Sequence, residues 1–158
     1  MSVLVVRGAL AVVEDTGRVR TGDVVCVDGA IIEGTDLAGM DHAGATEVDA
    51  TGCVVTAGLV NAHHHLLQTA FRTLPGTRGI PMREWLPAMA SAYTSAGVDP
   101  ELTGLAARAG LAEALLSGVT TVADHHLTWP SGSDTVSMAR AAAGAAAGLG
   151  ARLVFVRG

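Results

Sequence analysis

The sequence predicts an α/β chain in which a small β region precedes a run of parallel strand–helix crossovers. Two observations carry this. Short runs rich in β-branched residues, separated by turn residues, fill positions 3 to 56; from residue 54 onward the order becomes strand, helices, strand, helix, strand. A third observation concerns chemistry. Each strand of the second part ends in polar or charged residues: His63 to His65, then Asp124 to His126, then Arg157. In folds of this kind the site lies at the carboxyl ends of the strands.

The elements follow in order. Val3 to Val6, Ala9 to Val13, Asp23 to Val27 and Ala30 to Ile32 read as strands, and Asp28-Gly29 is a hairpin signal between the last two. Gly34 to Thr46 has little periodicity and reads as a loop, after which Val48 to Gly52 forms a strand and turn. Val54, Val55, Leu59 and Val60 read as one buried parallel strand running into His63-His64-His65. Alternation along that strand puts His63 and His65 on one face and His64 on the other. Two imidazoles side by side on a rigid strand make half of a metal site.

Beyond His65 the pattern turns helical. Pro75-Gly76, Gly79 and Pro81 mark a long loop, and Met82 to Ala92 forms a short helix limited or kinked by Pro87. The next helix has the strongest local signals. Asp99 is its N-cap, Pro100 occupies the first helical position, Glu101 suits the positive end of the dipole, and Gly118 closes it. Leu102, Leu105, Ala106, Ala109, Ala112, Leu115 and Leu116 approximate its apolar face. A strand from Val119 to Ala123, a loop from Thr128 to Gly132, an Ala-rich helix from about Asp134 to Leu149 and a strand from Leu153 to Val156 complete the chain.

Composition narrows the class of function. At 158 residues, 49% apolar and with few aromatics, the chain can bury a core with closely packed helices. The formal charge of −5 comes from fifteen acidic residues against ten basic ones, all Arg and unclustered, which argues against nucleic acid or an anionic membrane as partner. Cys26 and Cys53 lack framework or CxxC spacing and read as buried thiols in a reducing compartment. With no charged leader and no apolar run of about 18 residues, a soluble cytoplasmic protein is expected.

Gly58-Leu59-Val60-Asn61-Ala62-His63-His64-His65, after a β-rich leader and before Ser117-Gly118-Val119-Thr120-Thr121-Val122-Ala123-Asp124, resembles the amidohydrolase superfamily. Gln68 to Arg72, Glu84-Trp85-Leu86, Asp99-Pro100-Glu101 and Asp124-His125-His126-Leu127 with Pro130 resemble the branch holding 8-oxoguanine deaminases and triazine hydrolases. Ala57 departs from the pattern, where the family usually has Pro before the Gly.

The resemblance implies a (β/α)8 TIM-like barrel preceded by strands of a small β-sandwich, with residues 1–56 in the sandwich segment and 57–158 giving the first three barrel strands. It implies a metal-dependent aminohydrolase acting on an exocyclic C–N bond of a heteroaromatic ring such as 8-oxoguanine, guanine or a pterin. His63 and His65 would bind one divalent metal, zinc or alternatively iron. Gln68, Trp85 and His126 are the candidate substrate contacts. Asp124 could orient a histidine or cap a loop, Arg72 and Arg157 could meet a substrate or form ion pairs, and His125 is expected to face away.

The family's general base, a Glu on a later strand, has no counterpart here, and neither do the remaining metal ligands. The chain is therefore expected to be an N-terminal portion, its barrel completed by a C-terminal portion or a separate chain, and the protein to form a homo-oligomer. Three rival functions stay open. A triazine chlorohydrolase or alkylaminohydrolase would use the same pair, a cupin-like or other non-catalytic metal-binding fragment would hold the ion alone, and a degenerate half-barrel would serve as a scaffold. Helices after the His-x-His run, where cupins place strands, argue against the cupin.

Overall fold

The computed structural model describes residues 1–32 and 44–158, which form two compact units, Met1–Ala57 and Gly58–Gly158. The expected loop beginning at Gly34 lies, up to residue 43, outside the described residues.

The first unit holds strands β1 (Val3–Arg7), β2 (Ala11–Val13), β3 (Val19–Arg20), β4 (Val24–Val27), β5 (Ala30–Ile32), β6 (Thr46–Asp49) and β7 (Val54–Thr56). They form one sheet of order β5-β4-β1-β6 and another of order β3-β2-β7. The β4–β5 hairpin turns on Asp28-Gly29, with φ of 48° and 85° and Val27 opposite Ala30. That is the two-residue turn with both central residues left-handed, which matches the twist of the strands it joins. Val5, Val12, Val24 and Val25 are the buried apolar side chains of these strands.

The two cysteines are free, but they are not buried thiols: Cys26 is half-buried in β4 and Cys53 is exposed. Cys53 sits in the turn before β7, where its backbone N–H bonds Ala50 and its side chain has no core to enter.

In the second unit, β8 (Leu59–His64), β9 (Val119–His126) and β10 (Arg152–Arg157) form a parallel sheet of order β10-β9-β8. A 3-10 helix (Leu66–Phe71), α1 (Met82–Ala96) and α2 (Pro100–Leu116) connect β8 to β9, and α3 (Thr135–Leu149) connects β9 to β10. The fold class is α/β, as expected.

The strand expected over residues 54 to 60 is divided. Val54 and Val55 pair with β2, whereas Leu59 opens β8, and Ala57-Gly58 separates the two. Gly58 is required by a close approach, since a Cβ there would run into the Thr120 side chain. Nor are the apolar residues buried as expected: Leu59 and Val60 are 59% and 68% exposed, because β8 is the edge of its sheet.

Helix α1 passes through Pro87 and ends four residues later than expected, at Ala96, with Gly97 (φ 64°) as its cap. One missing N–H and a tolerated bend do not stop a helix whose flanking turns are intact. For α2 the caps are as expected, Asp99 accepting a hydrogen bond from Leu102 N–H at 2.8 Å. Its buried face is not. Thr103, Ala106, Ala107, Gly110 and Leu111 turn inward, while Leu105 and Leu116 are exposed. Small residues win this face because the 3-10 helix and α3 lie close against it: a Cβ on Gly110 would meet Thr69 Oγ1 at 2.7 Å, and one on Gly104 would meet Ala141 Cβ at 3.3 Å. The resulting core joins Leu66, Ala107, Leu111, Val122, Ala142, Ala145 and Ala146. Val122 in that core fixes the phase of β9, so alternate residues Asp124 and His126 are buried and His125 faces the other side.

Candidate metal centre and ring pocket

The site forms where β8 ends against the end of β9. Asp124 lies opposite His64, and the ladder slips between Asn61 and His64, so three steps along β8 match two along β9. Such a bulge re-aims the side chains that follow it.

His63 Nε2 and His65 Nε2 approach to 3.3 Å with their rings edge to face. Two nitrogens at corners of a tetrahedron with bonds of 2.0–2.1 Å lie about 3.3–3.4 Å apart, so this spacing fits two ligands of one zinc ion. The tautomer fits as well. His65 Nδ1 is 2.6 Å from the His125 carbonyl, which can only accept, so Nδ1 carries the proton and Nε2 presents a lone pair. Among the described residues no group of three or more His, Cys, Asp or Glu could hold a metal, so as metal ligands the pair would be only part of a donor set.

His64 has other partners. The Asn61 amide donates to its Nδ1 at 3.3 Å, and burial pushes its pKa below 6.5.

His125 does not face away. Its ring stacks on His63, with centroids 4.7 Å apart and planes 17° apart, and its Nε2–H donates to the Ala62 carbonyl at 3.3 Å. His126, expected at the mouth as a polar contact, is instead 2% exposed, with its ring against Trp129 and Phe155 and its Nε2–H donating to the Thr128 carbonyl at 3.1 Å. Burial lowers its pKa, and nearby Asp124 opposes that shift. The placement of both rings follows from the phase that Val122 sets. A sequence signal for it was present in the valine-to-histidine alternation of 122, 124 and 126, had the core side of the strand been known.

Asp124 neither caps the following loop nor bonds a histidine directly. Its Oδ1 accepts from Leu66 N–H at 2.9 Å, which ties the residue after His65 to β9. Its Oδ2 is buried without a hydrogen-bond partner and lies 3.9 Å from His126 Nδ1. Burial raises the Asp124 pKa, and the Leu66 N–H bond partly offsets the rise.

Gln68 and Trp85 line a cavity of about 280 Å³ together with His65, Tyr93, Asp124 and His126. This is near the lower size of small-molecule pockets, about 300 Å³. Burial raises the Tyr93 hydroxyl pKa, opposed by a hydrogen bond with Gln68. Arg72 pairs with Glu113 and lines a neighbouring cavity with His63, His65, Gln68 and Trp85, while Arg157 lies 5.3 Å over the Trp129 ring.

The chain is similar to proteins of known activity. Residues 54–156 match the amidohydrolase family, and the chain belongs to it. It is 40% identical over 105 residues to an 8-oxoguanine deaminase of Pseudomonas aeruginosa, an alignment spanning 66% of this chain and 22% of that protein. An isoxanthopterin deaminase from an unknown prokaryotic organism is 36% identical over 106 residues, 67% of this chain and 22% of its own length. The chain thus spans under a quarter of the curated relatives it matches. Among solved structures, a triazine hydrolase from Arthrobacter aurescens superposes with a TM-score of 0.81 at 28% identity, over 99% of this chain and 36% of that one. An atrazine chlorohydrolase from Arthrobacter aurescens TC1, complexed with zinc, gives 0.75 at 29% identity, over 98% and 35%.

Proposed function

We propose that this chain is part of a metal-dependent aminohydrolase that hydrolyses an exocyclic C–N bond of a heteroaromatic ring such as 8-oxoguanine, guanine or a pterin. The observation that carries this reading is the His63–His65 pair, 3.3 Å apart with the His65 tautomer set by a backbone carbonyl. Overall, water adds its oxygen to the ring carbon, one of its protons passes to the amino nitrogen as the C–N bond breaks and ammonia leaves, and the other proton stays on the product, which becomes the ring carbonyl tautomer. His63 and His65 would hold one divalent ion, zinc or alternatively iron, which would lower the pKa of a water for attack on the ring carbon. The chain's own residues do the rest of what these elements can do. Trp85 offers a flat apolar face to the ring, and Gln68 offers an amide to its polar edge. His126 is a wall of the pocket, its Nε2–H already committed to Thr128. The general base and the remaining ligands come from protein outside the described residues, in a (β/α)8 barrel whose first strands are β8, β9 and β10. The partners expected are a small heteroaromatic molecule and further copies of the protein.

The deaminases among its relatives favour ammonia as the leaving group. The zinc-bound atrazine chlorohydrolase supports a second reading, loss of chloride from a triazine ring. An assay of the complete protein for ammonia release over guanine, 8-oxoguanine, isoxanthopterin and aminotriazines, with chloride release from chlorotriazines measured alongside, separates them. Ammonia from one of the first three supports the proposal. Chloride alone supports the second reading, and metal binding with neither product leaves a non-catalytic fragment.

A further inference from the structure

We propose that His125 is a positioning residue for the metal centre, holding both histidines of the pair at once, one through its ring and the other through its carbonyl. The inference rests on the metal-centre reading above and extends it to a residue on the neighbouring strand. An imidazole on a strand end rotates freely about its second side-chain torsion, which is broad for a ring on an sp³ carbon. A pair of ligands needs both rotations fixed before the ion arrives, or binding has to order them. His125 fixes both. Its ring lies flat on His63 at 4.7 Å and 17°, which blocks rotation of that ring toward β9. Its carbonyl takes the His65 Nδ1 proton at 2.6 Å, which sets that ring's plane and turns Nε2 to the ion.

The holder is itself held. His125 Nε2–H reaches the Ala62 carbonyl, immediately before His63, at 3.3 Å. Backbone pairing with Val156 of β10 fixes its other side. Asp124 binds Leu66 N–H, so the peptide after His65 is tied to the same strand end. The pair, His63 on β8 and His65 just past its end, is therefore held 3.3 Å apart by a single residue of β9 and its neighbour, and not by β8 alone.

The test measures zinc affinity of the complete protein by competition with a chromophoric chelator, with far-UV circular dichroism and urea midpoints of the metal-free proteins as the check on folding. His125→Ala keeps the carbonyl but removes the ring; His125→Phe keeps a flat ring and removes the nitrogens. Loss of a group that orients a metal ligand typically weakens binding about 10- to 100-fold, so His125→Ala is expected to weaken zinc about 10-fold or more. His125→Phe is expected to stay within about 3-fold of the parent, since the stack survives. Unchanged affinity in His125→Ala overturns the inference, and so does a loss in His125→Phe as large as in His125→Ala. His63→Ala separates this failure from failure of the underlying reading. If it binds zinc as the parent does, or the parent binds none, the metal centre itself is wrong and the inference falls with it; if His63→Ala abolishes binding while His125→Ala does not change it, only the role of His125 is overturned.

Discussion

Asp124 and His126, two residues apart on the buried side of β9, are 1% and 2% exposed, and neither fully satisfies the other at 3.9 Å. Burial works on them in opposite directions, raising the carboxyl and lowering the imidazole. The consequence for stability has a definite sign. His126 is held below its ordinary 6.5 in the folded protein, so the unfolded chain takes up the proton first as the pH falls. Its contribution is present above pH 6.5 and is lost as the pH falls from there through the folded value; His64, lowered mainly by burial, acts in the same sense. Asp124 runs the other way, its contribution complete below 3.8 and lost as pH rises through the raised folded value. His126→Phe keeps a ring against Phe155 and Trp129 but removes the histidine titration, so its urea midpoint should fall less than the parent's between about pH 7.5 and 5.5. Equal falls in the two proteins would show that His126 is not held neutral. Gly58 gives a second residue-scale expectation. An added Cβ would overlap the branched Thr120 side chain, so Gly58→Ala should lower unfolding free energy by about 1–3 kcal/mol in urea titrations. An unchanged midpoint would contradict the close approach of β8 to β9.

At the scale of elements, the ends of α2 and α3 were legible in the sequence, whereas the end of α1 and the buried face of α2 were not. Asp99, Pro100, Gly118, Asp134 and Gly150 act through the backbone within a turn of themselves, so their signals are local. The buried face of α2 depends on what lies against it, and a choice by side-chain size picked Leu105 and Leu116 where the structure uses Gly110 and Ala107. The same reason hid His125: the alternation of β9 was visible, but which side met the helices was decided by Val122 entering the core with Leu111 and Ala142. Gly110→Val should drive the 3-10 helix off α2 and cost about 1–3 kcal/mol. Gly144→Ala, on the exposed side of α3 with nothing within 4 Å of its Cβ position, should instead stabilise by up to about 1 kcal/mol. Thermal or urea midpoints that move alike in both variants would contradict the packing described here.

For the whole molecule, the parallel order of the strands and the gathering of histidines at their ends were readable because parallel crossovers allow few alternatives. Under the proposed reading, what would complete the site was not readable, since a barrel draws its ligands from strands distant in sequence. The three-stranded sheet leaves Leu59, Val60 and Val154 exposed, a pattern that suits strands and helices packing on from it. The 158 residues produced alone should accordingly bind an apolar dye such as anilinonaphthalene sulfonate, and a protein of the relatives' full length should bind much less; equal binding would contradict an extended barrel. Among the described residues no helix is long and apolar enough to cross a membrane. The central claim is that His63 and His65 are two ligands of one divalent ion, and it is tested most directly by the metal content of the complete protein purified without chelator. About one zinc or iron per chain is expected in the parent and little or none in His63→Ala or His65→Ala, both remaining folded. Full metal content in either variant would contradict it.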